Sequence, residues 1–393
     1  MTANDVYVTG MARTPMGGIQ GELSGLTAPH LGAQAIRAAL SRASLASDRV
    51  GEVYMGCVLS AAVGQAPARQ ASIHGGVPNS VPCTTVSKVC GSGMKAVMLA
   101  ADQLRQGGTD VALAGGMESM TNAPYLLPKA RGGFRLGHAE VKDHMFLDGL
   151  EDAFEGRLMG TYAEESAKHY QFTRAEQDAY AIESLKRAQR AQSDGSFETE
   201  IVAVKVPGRG GEVLVSTDEQ PRKADASKIP GLKPAFAKDG TVTAANSSSI
   251  SDGAAALVLV RGDKLSLLGQ KPIARIVAQS SHAGEPRWFT TAPVGAIEKV
   301  LARAGWKKSE VDLFEINEAF AAVAMIALRD LGLPHDAVNV NGGACALGHP
   351  IGASGARILV TLISALQRRG LKRGVGSLCI GGGEATAVAV ELA

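Results

Sequence analysis

One cysteine lies in a sequence context in which its thiol could act as a nucleophile. Cys90 lies in the stretch Val86–Ala96 (VSKVCGSGMKA), directly before two glycines and an apolar run with helical spacing. At the start of a helix, free backbone N–H groups and the positive end of the helix dipole would face the sulfur, which lowers the pKa of a thiol. A lone cysteine at such a turn is more often a small buried residue, because free cysteine usually behaves as a small hydrophobic side chain. Other residues have to decide between the two interpretations.

Three further stretches carry residue types that could support catalysis by a thiol. They are Asn317–Ala322 (NEAFAA), Asn341–Gly352 (NGGACALGHPIG), which contains His349, and Cys379–Gly383 (CIGGG). A histidine has a pKa near the working pH and can take a proton from a thiol, and a thiolate matches the leaving ability of a thioester. Singly, the histidine could be a turn residue, the second cysteine a core residue, and the asparagine a helix cap. Their joint occurrence favours the catalytic interpretation.

The elements that must position these residues alternate between strand and helix, as in an α/β sandwich. The patterns predict strands at about 5–10, 52–55, 110–114 and 254–260, and helices at about 28–43 and from Cys90 to about 106. Between about 121 and 245 proline, glycine, histidine and charge become frequent, with one long polar helix near 174–193. We therefore predict an N-terminal α/β half over 1–120, completed by about 246–270, an inserted loop domain over 121–245, and a C-terminal α/β half over 271–393.

The second half of the chain repeats the first. The matched segments are Ala35–Ile36 with Ala296–Ile297, Gly91–Lys95 with Ala353–Arg357, and Val111–Gly116 with Ser377–Gly382. Two homologous halves would pack about a pseudo-twofold axis. The helices after Cys90 and after Gly352 would then be equivalent neighbours, and the backbone N–H donors between their first turns would suit an oxyanion.

Composition excludes several classes of protein. The net charge of +2 provides no global basic field for nucleic acid, and 45% hydrophobic residues allow a large core. The five cysteines are widely spread without a CxxC pair, which argues against a disulfide framework or a zinc site and for a reducing compartment. Neither a targeting pattern nor a run of ~18 apolar residues occurs, so we expect a cytoplasmic protein that does not span a membrane.

Taken together and in this order, the motifs resemble those of the thiolases, and among them the acetyl-CoA acetyltransferases. The resemblance runs from Arg13-Thr14-Pro15 through Pro67–Gln70 to the end of the chain. It implies a duplicated, five-layered α-β-α-β-α fold. It also implies Cys90 as the acylated nucleophile, His349 as its base, and Cys379 as the base that activates the second acetyl group.

The same resemblance implies two oxyanion sites. The enolate oxygen would be held by His349 and by a water on Asn317. The tetrahedral intermediate at Cys90 would be held by the backbone N–H groups of Cys90 and Gly381, where a glycine allows close approach.

Coenzyme A contacts follow from the resemblance as well. Ser248 matches a pantetheine contact and Arg222 a phosphate contact in the inserted domain, although Arg222 is equally well explained as a solvated charge. The residues that match the lining of the acyl pocket are Met159, Phe236, Phe289, Ala319 and Phe320. Two positions depart from the family pattern: Leu158 replaces a frequent histidine, and Phe289 replaces a frequent methionine. The departures leave the polarity of the pocket open, while the added aromatic bulk favours acetyl and acetoacetyl groups.

We therefore expect a reversible condensation of two acetyl-CoA molecules to acetoacetyl-CoA and CoA. No cofactor or metal is expected, because coenzyme A is substrate and product, and the family suggests a homotetramer built from tight dimers. One alternative is a 3-ketoacyl-CoA thiolase for longer chains in fatty-acid degradation, and another is a non-catalytic acyl-CoA or lipid carrier on the same scaffold. A β-ketoacyl synthase would have a second histidine at Asn317, and a dehydrogenase would need a G-x-G-x-x-G turn that is missing here.

Overall fold

The computed structural model describes residues 4–208 and 210–393. Its strands are β1 (Val6–Arg13), β2 (Gly17–Gly18), β3 (Glu52–Gly56), β4 (Cys83–Val86), β5 (Val111–Ser119), β6 (Tyr125–Leu126), β7 (Lys142–Asp143), β8 (Val204–Gly208), β9 (Gly211–Val215), β10 (Ser251–Arg261), β11 (Ala274–Ala283), β12 (Leu313–Ile316), β13 (Arg373–Ile380) and β14 (Glu384–Leu392).

Its α-helices are α1 (Ala28–Ala43), α2 (Pro67–His74), α3 (Ser92–Arg105), α4 (Met159–His169), α5 (Arg174–Ser193), α6 (Glu219–Lys223), α7 (Ala292–Ala304), α8 (Ala321–Leu331), α9 (Ala344–Leu347) and α10 (Ile351–Arg369). The predicted helices at 28–43 and 174–193 are found with those bounds, and a capping box of Thr173 and Glu176 starts the second. No helix among these residues combines the length and the apolar character needed to cross a membrane.

The predicted duplication is present in the order of the strands. The N-terminal half runs β1-β10-β5-β3-β4 and the C-terminal half β11-β14-β13-β12. In both halves the first two pairings are antiparallel and the third is parallel. A parallel bridge between Phe314 and Val338 takes the place of β4 in the second half. The halves meet where β1 pairs antiparallel with β11, with Val6 opposite Ile276.

Alternating side chains of each half-sheet build separate apolar layers. Along β10, the even-numbered residues 254–260 pack with α1 and α2, and the odd-numbered residues 255–259 pack with α3 and α10. Successive side chains of a strand point to opposite faces, so both faces of the sheet are covered by helices. Helices α7 and α8 cover the outer face of the C-terminal half. The predicted five-layered fold is confirmed, while the domain boundaries stay a prediction.

The two central helices touch through glycine. A Cβ atom on Gly355 would lie 2.3 Å from the backbone N of Met94, and one on Gly93 would lie 2.9 Å from the backbone N of Ala356. Only residues without a side chain allow the backbones of α3 and α10 to cross so closely. The crossing brings the first turns of the two helices side by side, as the duplication predicts.

The sequence patterns were wrong about some elements. Arg13 lies beyond the predicted strand at about 5–10, yet it ends β1 and is fully buried, with its guanidinium 2.5 Å from Glu200 and 2.6 Å from Asp218. A buried cation at the end of a strand depends here on partners 187 and 205 residues away, which no local pattern contains. Strand β5 continues beyond the predicted 110–114 to Ser119, and helix α2 is an element that the patterns did not predict.

Candidate active site

Cys90 lies between the end of β4 and the start of α3, two residues before the first helical residue. The preceding residue, Val89, has a φ of 44°, a left-handed conformation that is rarely adopted by a β-branched residue. The Ser92 hydroxyl holds this turn, accepting from the Lys88 N–H at 2.8 Å and donating to the Val89 carbonyl at 2.7 Å. The strained turn presents the thiol to a cavity.

That cavity has a volume of about 360 Å³ and collects most of the predicted site residues. The predicted residues that line it are Cys90, His349, Gly381, Ser248, Met159, Phe236, Phe289, Ala319 and Phe320. Further lining residues that were not predicted include Phe146, Leu150 and Ile250. The lining residues come from segments spread between Cys90 and Gly381, and the fold alone brings them together.

The thiol of Cys90 is not ionised in the free protein. Burial raises its pKa to about 11, although the backbone N–H groups of Gly381 and of Cys90 itself hydrogen-bond the sulfur and lower the pKa in part. The expectation that the helix start lowers the pKa of this thiol below its ordinary value is therefore wrong. Desolvation of a thiolate outweighs the two N–H donors.

This pKa predicts how the thiol responds to pH. Because iodoacetamide reacts with the thiolate, the alkylation rate of Cys90 should rise about tenfold per pH unit between about pH 7 and pH 10, without a plateau near pH 8. Rates read from the Cys90 peptide by mass spectrometry check this. A rate already constant above about pH 8 would contradict it, and partly exposed Cys83 provides the comparison within the same samples.

His349 is held neutral and oriented by its neighbours. Burial, followed by the positive charge of Arg357, lowers its pKa to about 3. Its Nδ1 lies 2.5 Å from the Ser354 hydroxyl, which also lies 2.9 Å from the Pro350 carbonyl oxygen. Because that carbonyl can only accept, the hydroxyl hydrogen goes to Pro350 and Nδ1–H donates to Ser354. Nε2 is left as the proton acceptor, 3.5 Å from the Asn317 amide nitrogen.

Ser354 is a residue that the sequence analysis did not select, although the repeat contained the signal. It is the counterpart of Ser92, and both hydroxyls donate to a carbonyl three or four residues earlier, beside a predicted catalytic residue. A serine duplicated together with the helix start therefore has a duplicated structural role.

Removing the Ser354 hydroxyl should disturb the base without disturbing the fold. In Ser354→Ala the imidazole loses the acceptor for its Nδ1–H, so we expect Cys90 acetylation to slow by about tenfold. This is less than the ~10²–10⁴-fold that a positioned acid–base group contributes, because the imidazole itself remains. Stopped-flow acetylation measures the effect. Ser364→Ala is the matched control, because Ser364 is buried on the same helix and its hydroxyl has no hydrogen-bond partner among the described residues. Equal rates in both variants would refute the role.

Cys379 lies just behind the cavity wall. It is fully buried in a cluster with Phe289, Ala319 and Phe320. Burial, and then the charge of Cys90, raises the pKa of Cys379 well above its ordinary value. The two thiols are thus close enough for the ionisation of one to oppose that of the other.

Asn317 is buried beside His349 and does not line the cavity. Its backbone N–H donates to the Ser377 carbonyl at 3.0 Å, which fixes the residue at the end of β12. Its side-chain oxygen is buried and accepts no hydrogen bond from residues 4–208 or 210–393. An amide oxygen in this state can accept a hydrogen bond from a water or a substrate.

The geometry at Gly381 corrects one argument from the sequence. A Cβ atom at this position would lie 3.7 Å from Met159 and 3.7 Å from Val89, which are ordinary contacts. The fold itself therefore tolerates a side chain at Gly381, and what such a side chain would occupy is the cavity next to Cys90. The following Gly382 and Gly383 do need glycine, with φ of 91° and 85°.

A buried carboxylate beneath the site was also missed. Glu118, at the end of β5, accepts hydrogen bonds from the backbone N–H groups of Val58, Leu59 and Gly352 at 2.9 to 3.1 Å. Burial raises its pKa to about 7 despite these donors, and its charge contributes to the raised pKa of Cys90. Glu118 ties β5 to the first turn of α10, and a glutamate inside an otherwise apolar strand is the signal that could have found it.

The two residues predicted to bind coenzyme A lie in different parts of the structure. Ser248 lines the cavity and donates to the Ala319 carbonyl from its backbone N–H at 2.9 Å and its hydroxyl at 3.0 Å. Arg222 lines a separate groove and pairs with Glu22 at 2.7 Å. The structure therefore does not bring Arg222 to the cavity, and its phosphate contact stays a prediction.

A second groove adjoins the cavity, and positively charged side chains line part of it. It shares Ala244 and Ser249 with the cavity, and both Lys223 and Lys228 line it. Lys223 pairs with Glu219 and Lys228 with Asp225 at 3.8 Å, and the side chains of the two lysines are 58% and 80% exposed.

Comparison with known proteins agrees with this arrangement. The family profile "Thiolase, N-terminal domain" matches residues 6–263, and "Thiolase, C-terminal domain" matches residues 270–392. Acetyl-CoA acetyltransferase 2 of Arabidopsis thaliana is 53% identical over 99% of this chain and 97% of its own length. The acetyl-CoA acetyltransferase of Schizosaccharomyces pombe is 47% identical over the full length of both chains.

Solved structures give the same result. The acetyl-CoA acetyltransferase of Bacillus anthracis superposes with a TM-score of 0.97 at 40% identity, covering 99% of each chain. A thiolase from Ascaris suum in complex with coenzyme A superposes with a TM-score of 0.93 at 41% identity, covering 99% of this chain and 100% of its own. With the duplicated sheet, the facing helix starts and the cavity between them, these matches show that the chain belongs to the thiolase family.

Proposed function

We propose that this protein is an acetyl-CoA C-acetyltransferase, which condenses two acetyl-CoA molecules reversibly to acetoacetyl-CoA and CoA. The observation that carries the proposal is the common cavity of Cys90, His349 and Gly381, with Cys379 coupled to Cys90 behind its wall. Full-length relatives named acetyl-CoA acetyltransferase support the same reaction.

Acetylation begins with a proton transfer inside the cavity. His349 takes the Cys90 proton on Nε2 as the sulfur attacks the acetyl carbonyl. The backbone N–H groups of Cys90 and Gly381, which hydrogen-bond the sulfur in the free protein, stabilise the oxyanion, and each contributes on the order of 3 kcal/mol. Cys379 gives its proton to the departing CoA sulfur. The products are acetyl-Cys90, CoA, an imidazolium and a Cys379 thiolate.

Condensation uses the two charged groups that acetylation leaves. The Cys379 thiolate removes a proton from the methyl group of the second acetyl-CoA. The enolate oxygen is held by His349 Nε2–H and by a water on the Asn317 side-chain oxygen, which has no donor in the described protein. The enolate attacks acetyl-Cys90, and the released Cys90 sulfur takes back the proton of His349. All three residues return to their starting states.

Coenzyme A occupies the cavity and the groove beside it. We propose that the pantetheine arm passes Ser248 and that Lys223 and Lys228 meet the phosphates in the adjoining groove. Arg222 is proposed only as an outer contact, because it lines a groove separate from the cavity.

The acyl end of the cavity is apolar and closed by aromatic rings. Phe320 makes edge contacts with Phe236 and with Phe289, at centroid distances of 6.0 and 6.2 Å. Leu158 lines the cavity as well, so the position where a histidine is frequent provides no polar contact. We propose that these rings favour acetyl and acetoacetyl groups, whereas the apolar lining keeps the longer-chain 3-ketoacyl-CoA thiolase as a second candidate.

Thiolysis assays separate the candidates. We expect kcat/KM for acetoacetyl-CoA to exceed that for a C8 3-ketoacyl-CoA by at least about tenfold, because added methylenes must displace close-packed rings. A preference for the C8 substrate would replace our proposal with the longer-chain thiolase. Absence of turnover with both substrates, together with tight acyl-CoA binding, would favour the non-catalytic carrier.

The assembly and location belong to the same proposal. We propose a homotetramer of tight dimers, supported by a segment that exposes large apolar side chains, including Tyr125 (69%), Leu136 (98%) and Phe154 (76%). Light scattering should give four times the chain mass of 40.5 kDa. A cytoplasmic location is proposed because the mechanism needs Cys90 and Cys379 as reduced thiols.

A further inference from the structure

An ion pair joins the two loops that meet at the proposed active site. Lys88, two residues before Cys90, contacts Glu384, three residues after Gly381. We propose that the Lys88–Glu384 pair is a positioning element that holds the Gly381 N–H against the Cys90 sulfur. The inference rests on the proposed function, in which that N–H stabilises the oxyanion. Neither charged residue lines the cavity.

The loop of Cys90 combines backbone strain with local hydrogen bonds that oppose it. Val89 sits at a φ of 44°, which costs a β-branched residue of order 1 kcal/mol or more. Local hydrogen bonds oppose this strain, because the Lys88 N–H donates to the Ser92 hydroxyl and the Gly91 N–H donates to the Lys88 carbonyl at 3.0 Å. Both bonds meet at Lys88, so a restraint on its side chain acts on the backbone that orients Cys90.

The loop of Gly381 is held by contacts on the side that faces away from Cys90. Glu384 opens β14 directly opposite Ile380, so residues 381–383 form the turn between paired strands. Gly383 accepts a hydrogen bond from the Gly284 N–H at 2.9 Å, and a Cβ atom on Gly383 would lie 2.6 Å from the Gly284 oxygen. On the side that faces Cys90, Glu384 provides the charged contact.

Besides the Gly381 N–H at the Cys90 sulfur, small apolar contacts lie between the loops. A Cβ atom on Gly91 would lie 2.4 Å from Ile380, so that side chain packs on bare backbone, and Val89 lies near Gly381. Dispersion between so few atoms resists separation only weakly. The ion pair is 24% exposed on Lys88 and 38% on Glu384, which shields it partly from solvent and makes it stronger than a fully exposed pair. The ion pair therefore sets the distance between the Gly381 N–H and the Cys90 sulfur.

The test measures Cys90 directly, by alkylation with iodoacetamide, which is neutral and needs no coenzyme A site. At about pH 8 we expect Glu384→Gln and Lys88→Met each to slow Cys90 alkylation by about fivefold, because a retreating N–H stabilises the thiolate less. Acetylation by acetyl-CoA should slow by about tenfold. The charge-swapped double variant Lys88→Glu/Glu384→Lys should return both rates to within about twofold of the unmodified protein.

A matched control and the oligomer are measured alongside. Glu310→Gln removes a comparable pair, since Glu310 is 44% exposed and lies 3.2 Å from Arg373, remote from the cavity. It should leave both rates unchanged, and size exclusion should give one assembly for all variants. Unchanged or faster alkylation in the single variants would overturn the proposal, as would a loss that the charge swap fails to restore. Because alkylation does not require turnover, a protein without condensing activity would still give a definite answer.

Discussion

Replacing Cys90 by alanine should abolish the acetyl-enzyme and lower turnover by about 10⁴-fold or more, because the reaction loses the atom on which the acetyl group is carried. Cys90 combines access to the cavity with two N–H donors at its sulfur. No other thiol in the described chain lines this cavity, so none can substitute for it.

Incubation with radiolabelled acetyl-CoA, followed by denaturation and counting, measures the loss. Cys83→Ala is the control, because Cys83 is a partly buried thiol on β4 outside the cavity, and it should retain full labelling. Stoichiometric acetylation of Cys90→Ala would show that another residue carries the acetyl group and would refute the assigned role.

Replacing Cys379 by serine should separate the two half-reactions. Cys90 should still become acetylated, although more slowly, while acetoacetyl-CoA formation falls by about 10³-fold, since a serine hydroxyl is too weak an acid to become the base. The raised pKa of Cys379 explains why the steps occur in order. Ionisation of Cys90 would oppose ionisation of Cys379, and an acetylated Cys90 has no thiol left to ionise. The base becomes available once the first acetyl group is in place.

Labelling and condensation are measured on the same preparation. Cys57→Ser is the matched control, because Cys57 is also a buried thiol outside the cavity and a serine hydroxyl can keep its hydrogen bond to Glu118, so the variant tests whether a buried hydroxyl alone is harmful. If Cys379→Ser loses labelling and condensation equally, the two cysteines do not divide the work as proposed. If it keeps both, Cys379 is not the base.

The sequence by itself determined the local elements and the residue types of the site. The helix at 28–43 followed from apolar positions at helical spacing and the helix at 174–193 from a long polar stretch, which are properties of residues near each other along the chain. The duplication followed from matched segments, and it correctly placed the starts of α3 and α10 side by side. It also contained Ser354 as the counterpart of Ser92, although the meaning of that match became visible only in the hydrogen bonds of His349.

Only the tertiary structure determined the protonation states of the site residues and the partners of the charged side chains. The start of a helix predicts a lowered pKa for Cys90, but the cost of burial depends on every segment around the sulfur and raises it to about 11. Arg222 turned out to be paired with Glu22, and Lys88 with Glu384 across 296 residues of chain. The cost of desolvation and the strength of an ion pair depend on neighbours that are distant in sequence. The periodicity of a sequence reflects only residues that lie near each other along the chain.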